Sequence, residues 1–229
     1  MYDLIVIGGG PVGLTATMYA IRKRLNVLLI TKDMGGKTNY HLSLPWIADY
    51  QVIRGLEIIN KFRSELEYLD FTHHMEAVEG VSKKDGNFIV TTKGGAGMEA
   101  RSVIIATGTR RVRMDVPGEK EFTMKGLCHS ALSYAPLFID KTTIVIGDDE
   151  LALAGELATV ANHVYLACEN KKIPETPLGI KLPIAKGDDF ARKLFLKGPD
   201  GQVSEYQADG MFVEKALTPN SQMVTDLVN

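Results

Sequence analysis

The sequence is poor in the features that announce a function on their own. It has two cysteines in 229 residues, Cys128 and Cys168. Two thiols cannot form the framework of a disulfide-scaffolded secreted domain, so a reducing, cytoplasmic setting is expected. Charge of one sign is also lacking. Lys plus Arg is 26 and Asp plus Glu is 28, a net charge of −2. A near-neutral chain gives no electrostatic case for nucleic acid or an anionic membrane. No apolar run reaches the ~18 residues that span a bilayer. The N-terminus enters a strand at once, with no basic leader or cleavable apolar segment, so a soluble chain is expected. Low-complexity stretches are absent. With 45% hydrophobic and 24% charged residues, usage is that of a globular protein, which excludes disordered, collagen-like and coiled-coil chains. The length suffices for one or two domains with cores of their own.

The pattern along the chain is α/β. Residues 2–7 (YDLIVI) read as a strand buried on both faces. A glycine turn follows at 8–13. Residues 14–24 read as a helix, ending in the basic cluster Arg22-Lys23-Arg24, and 26–31 (NVLLIT) as the next buried strand. This βαβ unit occupies about 30 residues, the usual size. Residues 32–50 read as irregular. Apolar Ile58, Ile59, Phe62, Leu66 and Leu69 give 54–69 helical spacing. Strands are expected at 71–75, 78–83, 87–92, 98–105 and 103–108, with a hairpin turn at 94–97. A weak internal repeat then begins: strand 143–146, turn 147–152, helix 153–162, strand 163–167. Residues 171–189, with three prolines, read as a loop. A hairpin spans 191–208 around 198–201, and 210–217 is a last strand.

Gly8, Gly10 and Gly13 fit G-x-G-x-x-G. Gly8 permits the tight turn, Gly10 lets backbone approach a pyrophosphate, and Gly13 lets helix and strand pack closely. The helix start adds free N–H groups and positive dipole. The turn follows a strand and opens a helix, the context in which this spacing binds a dinucleotide. An acidic residue usually ends the second strand and holds a ribose. Here that position is Thr31, whose hydroxyl is a weaker partner than a carboxylate. The motif alone does not choose between NAD and FAD.

Further segments stand in a telling order. Gly35-Gly36-Lys37 follows the second strand, Ala106-Thr107-Gly108 ends a buried strand, and Gly210-Met211-Phe212-Val213 precedes Thr218-Pro219-Asn220. With MYDLIVIGGGPVGL, these make the chain resemble the thioredoxin reductase-like flavoproteins, within the pyridine-nucleotide disulfide oxidoreductases. The resemblance implies two Rossmann-like βαβ domains, the second inserted in the first. It places an FAD-binding domain at 1–112, an inserted NAD(P)-binding-like domain at 113–215 and a return segment at 216–229. It implies that Gly8, Gly10, Pro11 and Gly13 hold the FAD pyrophosphate. Gly36 and Lys37 match a Gly-Gly-Gln segment beside the flavin, with Lys for Gln. Asp49 falls where a flavin-facing Asn is common, and the Met75 backbone where the adenine lies. Ala106, Thr107 and Gly108 match the turn beneath the cofactor.

Three departures qualify the resemblance. Ser130 and Ser133 stand where the family carries its redox cysteines, and serine cannot exchange disulfides. Cys128 lies two residues upstream, either a lone thiol beside His129 or an inert small hydrophobe. At the second glycine turn the sequence reads Gly147-Asp148-Asp149-Glu150, and Asp149 replaces the glycine that admits a pyrophosphate. Three carboxylates there repel a dianion by several kcal/mol near a protein surface (about 4 at an effective dielectric constant near 20 and 4 Å). They suit a capped structural helix better than NADPH. The third departure is the family's C-terminal part of the FAD domain, for which this sequence has no counterpart. His73-His74 is a poor metal pair, because strand neighbours point to opposite faces. Trp46 and Tyr50 either line a flavin pocket or cover the core.

Two functions of different class follow as expectations. One is an FAD-dependent oxidoreductase without a redox disulfide, passing electrons through flavin to a small or protein acceptor, as a homodimer. The other is a non-catalytic nucleotide-binding or regulatory relative, or a fragment of such an enzyme. No metal is expected.

Overall fold

Apolar runs with no polar alternation demand cover on both faces, and the first two strands receive it. The computed structural model describes residues 1–50, 55–68, 71–147, 151–167, 184–187, 189–197 and 200–227. In chain order it begins with β1 (Tyr2–Ile7), α1 (Pro11–Arg22) and β2 (Val27–Thr31). A hairpin of β3 (Leu42–Leu44) and β4 (Ile47–Tyr50) precedes α2 (Gly55–Tyr68) and β5 (Thr72–Met75). A meander follows, β6 (Val78–Lys84), β7 (Asn87–Thr92) and β8 (Gly97–Ile105). Next come β9 (Thr109–Arg111), the one-turn helix α3 (Glu119–Phe122), β10 (Leu127–Cys128) and the one-turn helix α4 (Ala131–Tyr134). Then β11 (Thr142–Gly147), α5 (Leu151–Leu157) and β12 (His163–Ala167) repeat the first pattern. The described chain ends with β13 (Ile184–Gly187), β14 (Phe190–Lys197), β15 (Val203–Gln207), β16 (Gly210–Glu214) and β17 (Leu217–Pro219), then a short 3-10 turn.

The chain divides into two compact units. The first comprises Met1–Asn39, Ile53–Arg110 and Leu217–Asn229; the second comprises Tyr40–Val52 and Arg111–Ala216. In the first unit a six-stranded sheet runs β5-β2-β1-β8-β7-β6. Strands β5, β2, β1 and β8 are parallel, and β7 and β6 are antiparallel. Leu4 and Val6 pack with Leu14, Met18 and Leu29 under α1, while Ile5 and Ile7 pack with Leu28 and Ile30 on the other face. Each such side chain, fully buried, contributes roughly 1.5–3 kcal/mol.

The second unit holds a parallel sheet in the order β10-β16-β11-β12 and an antiparallel sheet β13-β14-β15. Ile144, Ile146, Met211 and Val213 face the β14 residues Ala191, Leu194 and Leu196. The alternate residues Val145 and Phe212 face the other way, onto Leu42, Leu44, Phe138 and Leu157. The period of two along each strand makes this division.

Three expectations are corrected. Residues 32–50 are not wholly irregular, since β3 and β4 pair there; Leu42 and Leu44 alternate into the second core, which carries 40–52 away from a continuous 1–112 segment. The 153–162 helix ends at Leu157, because Thr159 and Val160 turn more tightly and the Asn162 amide donates to the Lys141 carbonyl. The expected 171–189 loop contains β13, whose Ile184 pairs with Leu194; its first part, 171–183, lies outside the described residues. Trp46 covers the second core: its ring meets Phe138 edge-on at 5.7 Å, and Lys141 Nζ lies 4.7 Å from its centroid. His73 stacks on Phe71 while His74 meets Glu76 at 2.9 Å, so the two imidazoles diverge as strand geometry requires.

Candidate dinucleotide site

Four parallel strands of the first unit end level. Thr31 stands opposite Met75, Ile30 opposite Ile7, and Ile7 opposite Ile105. The chain leaves β1 toward β2 on one side, and β8 lies on the other side. Open α/β sheets take their ligands outside the carboxyl ends of the strands, at such a switch point.

The glycine turn sits there. Gly8 has φ +112°, and its N–H donates to the Ile30 carbonyl at 2.8 Å. A Cβ on Gly13 would overlap the Gly8 carbonyl and touch Ala106 Cβ at 3.4 Å, so α1 rests directly on the turn. Pro11 occupies the first helical turn, where its missing N–H costs nothing. Gly10 is the N-cap, and no side chain caps the helix. A Cβ on Gly10 would meet nothing within 4 Å. An uncapped helix start facing open space fits the pyrophosphate of a dinucleotide.

Around this turn the expected residues hold different posts. Thr31 is tied into the turn itself. It is 6% exposed, its Oγ1 accepts the Gly9 N–H at 2.7 Å, and its hydroxyl proton goes to the Asp33 carbonyl at 2.7 Å. With one proton to donate, the hydroxyl has none left for a ligand. Gly36 lies beside Gly10, a Cβ there standing 3.4 Å from the Gly10 Cα. Its N–H donates to Asp33 Oδ1 at 2.8 Å. Lys37 Nζ donates to Thr109 Oγ1 at 2.8 Å. Met75 is 53% exposed at the end of β5. Next to it, Thr92 and His74 hold the Glu76 carboxyl below the usual carboxylate range. The stability this contributes is present at neutral pH and is lost as acid protonates the group.

The Ala106-Thr107-Gly108 turn has a partner that the local sequence pattern does not assign. The Asn220 N–H donates to the Gly108 carbonyl at 2.9 Å, and Asn220 Nδ2 donates to the Thr107 carbonyl at 3.1 Å. The Pro219-Asn220 step was the available signal. Asp49 lies on β4 in the second unit, and its side chain is outside the described residues.

In the second unit, Ser130 and Ser133 come together. Their Oγ atoms are 2.6 Å apart, and the Ser133 N–H donates to the Ser130 carbonyl at 3.1 Å. Ser130 adopts φ +75° at the start of α4. The Glu214 carboxylate, with a side chain 10% exposed, accepts from the Ala131 N–H and from Arg111 Nη1, the latter at 2.9 Å. His129 Nδ1 donates to the Val213 carbonyl at 3.0 Å. Cys128 is fully buried, and burial together with the Glu214 charge pushes its thiol well up. A thiol so placed stays protonated and inert. Iodoacetamide is therefore expected to leave Cys128 unmodified in the native protein and to alkylate it in urea, read by peptide mass; native alkylation would contradict this. Asp148, Asp149, Glu150 and Cys168 lie outside the described residues. Among the described residues no three His, Cys, Asp or Glu side chains gather as metal ligands, and no helix is long and apolar enough to cross a membrane.

The chain has relatives among known proteins. The family model for pyridine nucleotide-disulphide oxidoreductases matches residues 2–173. A thioredoxin reductase of Ureaplasma parvum is 35% identical over 171 residues, covering 72% of this chain and 54% of that protein. A thioredoxin reductase of Helicobacter pylori is 33% identical over 171 residues, covering 72% of this chain and 55% of its own length. The chain thus spans about half the length of these curated relatives. The crystal structure of thioredoxin reductase from Streptococcus pyogenes superposes with a TM-score of 0.81 at 27% identity, covering 99% of this chain and 80% of that one. The chain belongs to the pyridine nucleotide-disulphide oxidoreductase family, with a thioredoxin reductase-like fold.

Proposed function

We propose that the chain binds FAD in its first unit and serves as an oxidoreductase that passes electrons through flavin without a protein dithiol. The observation that carries this reading is Gly10, open toward solvent at an uncapped helix start and flanked by the Gly36 and Ala106–Gly108 turns. When bound, the flavin supplies the electron-transfer chemistry. Gly10 and the first-turn N–H groups of α1 hold the pyrophosphate. The Ala106-Thr107-Gly108 turn, pinned by Asn220, supports the cofactor from below. Met75 borders the adenine end. The hydroxyls of Ser130 and Ser133 hydrogen-bond to each other and carry no electrons, so the acceptor, a small molecule or a redox protein, takes electrons from the flavin directly.

The test is an absorption spectrum of the gel-filtered protein, before and after reconstitution with FAD, with the released cofactor identified. A stoichiometric flavin band that releases FAD is expected. A protein that stays colourless with excess FAD would overturn the reading.

The Ser130–Ser133 pair favours a second reading, a nucleotide-binding relative without turnover. A bound flavin that neither NAD(P)H nor a reduced redox protein can reduce would select it.

A further inference from the structure

We propose that Glu76 is a positioning residue for the adenine end of the dinucleotide, its carboxylate clasping the end of β5 into the shape that presents Met75 to the base. This rests on the dinucleotide reading above. The sheet supplies the path. Gly9 of the glycine turn donates its N–H to Thr31 Oγ1 at 2.7 Å, and Thr31 stands opposite Met75. A turn of this kind holds a pyrophosphate at the first strand, with the ribose at the end of the second. The base then lies over the next strand in the sheet, which is β5. Met75 ends that strand and is exposed.

The strand end is held in shape. The Glu76 N–H donates to the His74 carbonyl at 3.1 Å and closes a three-residue turn with Met75 at its apex. The side chains close the same turn a second time, with His74 Nε2 and Glu76 Oε2 2.9 Å apart. The carboxylate also rests on the turn between β7 and β8. Thr92 and the Gly94 backbone border it, and a Cβ on Gly94 would overlap Glu76 Oε1. The Lys93 N–H, donating to the Ala77 carbonyl at 2.8 Å, ties the two turns together. One carboxylate thus joins the β5 end to a neighbouring hairpin. Met75, held at the apex, keeps an exposed thioether, a group that packs well on aromatic rings.

The experiment titrates cofactor-stripped protein with FAD and with ADP. Glu76→Ala, Glu76→Gln and Gly94→Ala are compared with the native protein, each checked by thermal melt. Removing a negative charge beside an anionic ligand would by itself tighten binding. Glu76→Ala is instead expected to weaken FAD and ADP about tenfold, the worth of one or two net hydrogen bonds. Glu76→Gln keeps the hydrogen-bonding shape and should stay within about twofold of native. Gly94→Ala keeps the charge but displaces the carboxylate, so it should show the Glu76→Ala loss, and it decides the matter if Glu76→Ala fails to fold. Mild peroxide gives a second reading, because it converts exposed methionine to its sulfoxide. Saturating FAD should shield Met75 in the native protein and leave it open in Glu76→Ala, read by peptide mass. If native protein binds FAD and Glu76→Ala binds it as tightly or more so, the clasp alone fails. Equal shielding of Met75 in both proteins would overturn it too, as would a Glu76→Gln as weak as Glu76→Ala. If native protein binds neither FAD nor ADP, the dinucleotide reading fails with it.

Discussion

Gly13→Val is expected to remove both the cofactor and much of the first unit's stability, whereas Gly10→Ala should remove only the cofactor. The two glycines sit three residues apart on one motif, but their surroundings differ. A side chain on Gly13 would overlap the Gly8 carbonyl and press on Ala106, all of it backbone or core that cannot step aside. Helix α1 would have to lift from β1, opening the contacts of Leu14 and Met18 with Leu4, Val6 and Leu29. Overpacking of this kind costs about 1–3 kcal/mol, and backbone displacement raises that further. At ~2–4 °C per kcal/mol for a chain of this size, a loss of roughly 3 kcal/mol lowers the melting temperature by about 6–12 °C. A methyl on Gly10 meets nothing within 4 Å, and the residue's φ of −72° suits alanine. The Gly10→Ala apo protein should therefore melt like the native one. Its methyl points into the space assigned to the pyrophosphate, so its flavin band should be lost. Melting curves and absorption spectra of both variants decide the matter. Full flavin retention by Gly10→Ala would move the cofactor away from the glycine turn.

The parts of the fold legible in sequence were those governed by local pattern. The runs at 2–7 and 26–31 announced strands buried on both faces, and Leu4–Ile7 and Val27–Ile30 are all buried. Glycine spacing announced the turn, because each glycine answers to a nearby clash or opening. What the sequence hid depends on distant partners. Leu42 and Leu44 look like loop residues until Phe138 and Phe212, nearly a hundred and more residues on, are placed beside them. Thr31 draws attention because the motif expects an acid there; what the motif does not show is that its hydroxyl donates to the Asp33 carbonyl and accepts from the Gly9 N–H. Asn220 pins a turn 112 residues earlier, and no local signal reveals which turn. Nothing in the local pattern singles out Glu214; only the fold brings Arg111 and the Ala131 N–H to it.

The same contrast makes Ser130 and Ser133 the most informative pair to convert. Installing cysteine at both positions is expected to yield a disulfide in air without reagents. The Oγ atoms already stand 2.6 Å apart, whereas a disulfide needs its sulfurs at about 2.05 Å, a difference the longer C–S bonds and small side-chain rotations can absorb. The turn is also held independently of the hydroxyls. The Ser133 N–H donates to the Ser130 carbonyl, and Glu214 takes the Ala131 N–H. The left-handed Ser130 backbone costs of order 1 kcal/mol in either variant, so it does not bias the comparison. Thiol titration reads the outcome in denaturant. The oxidised double variant should show no more thiols than the native protein, and two more after reduction. Single substitutions should each add one thiol under both conditions. If the double variant keeps two extra thiols in air, the hydroxyl pair is not poised as a dithiol would be, and the loss of disulfide chemistry in this chain would lie in the shape of the 130–133 turn. If the disulfide forms, that loss comes down to two oxygen-for-sulfur replacements on a turn that still holds the geometry.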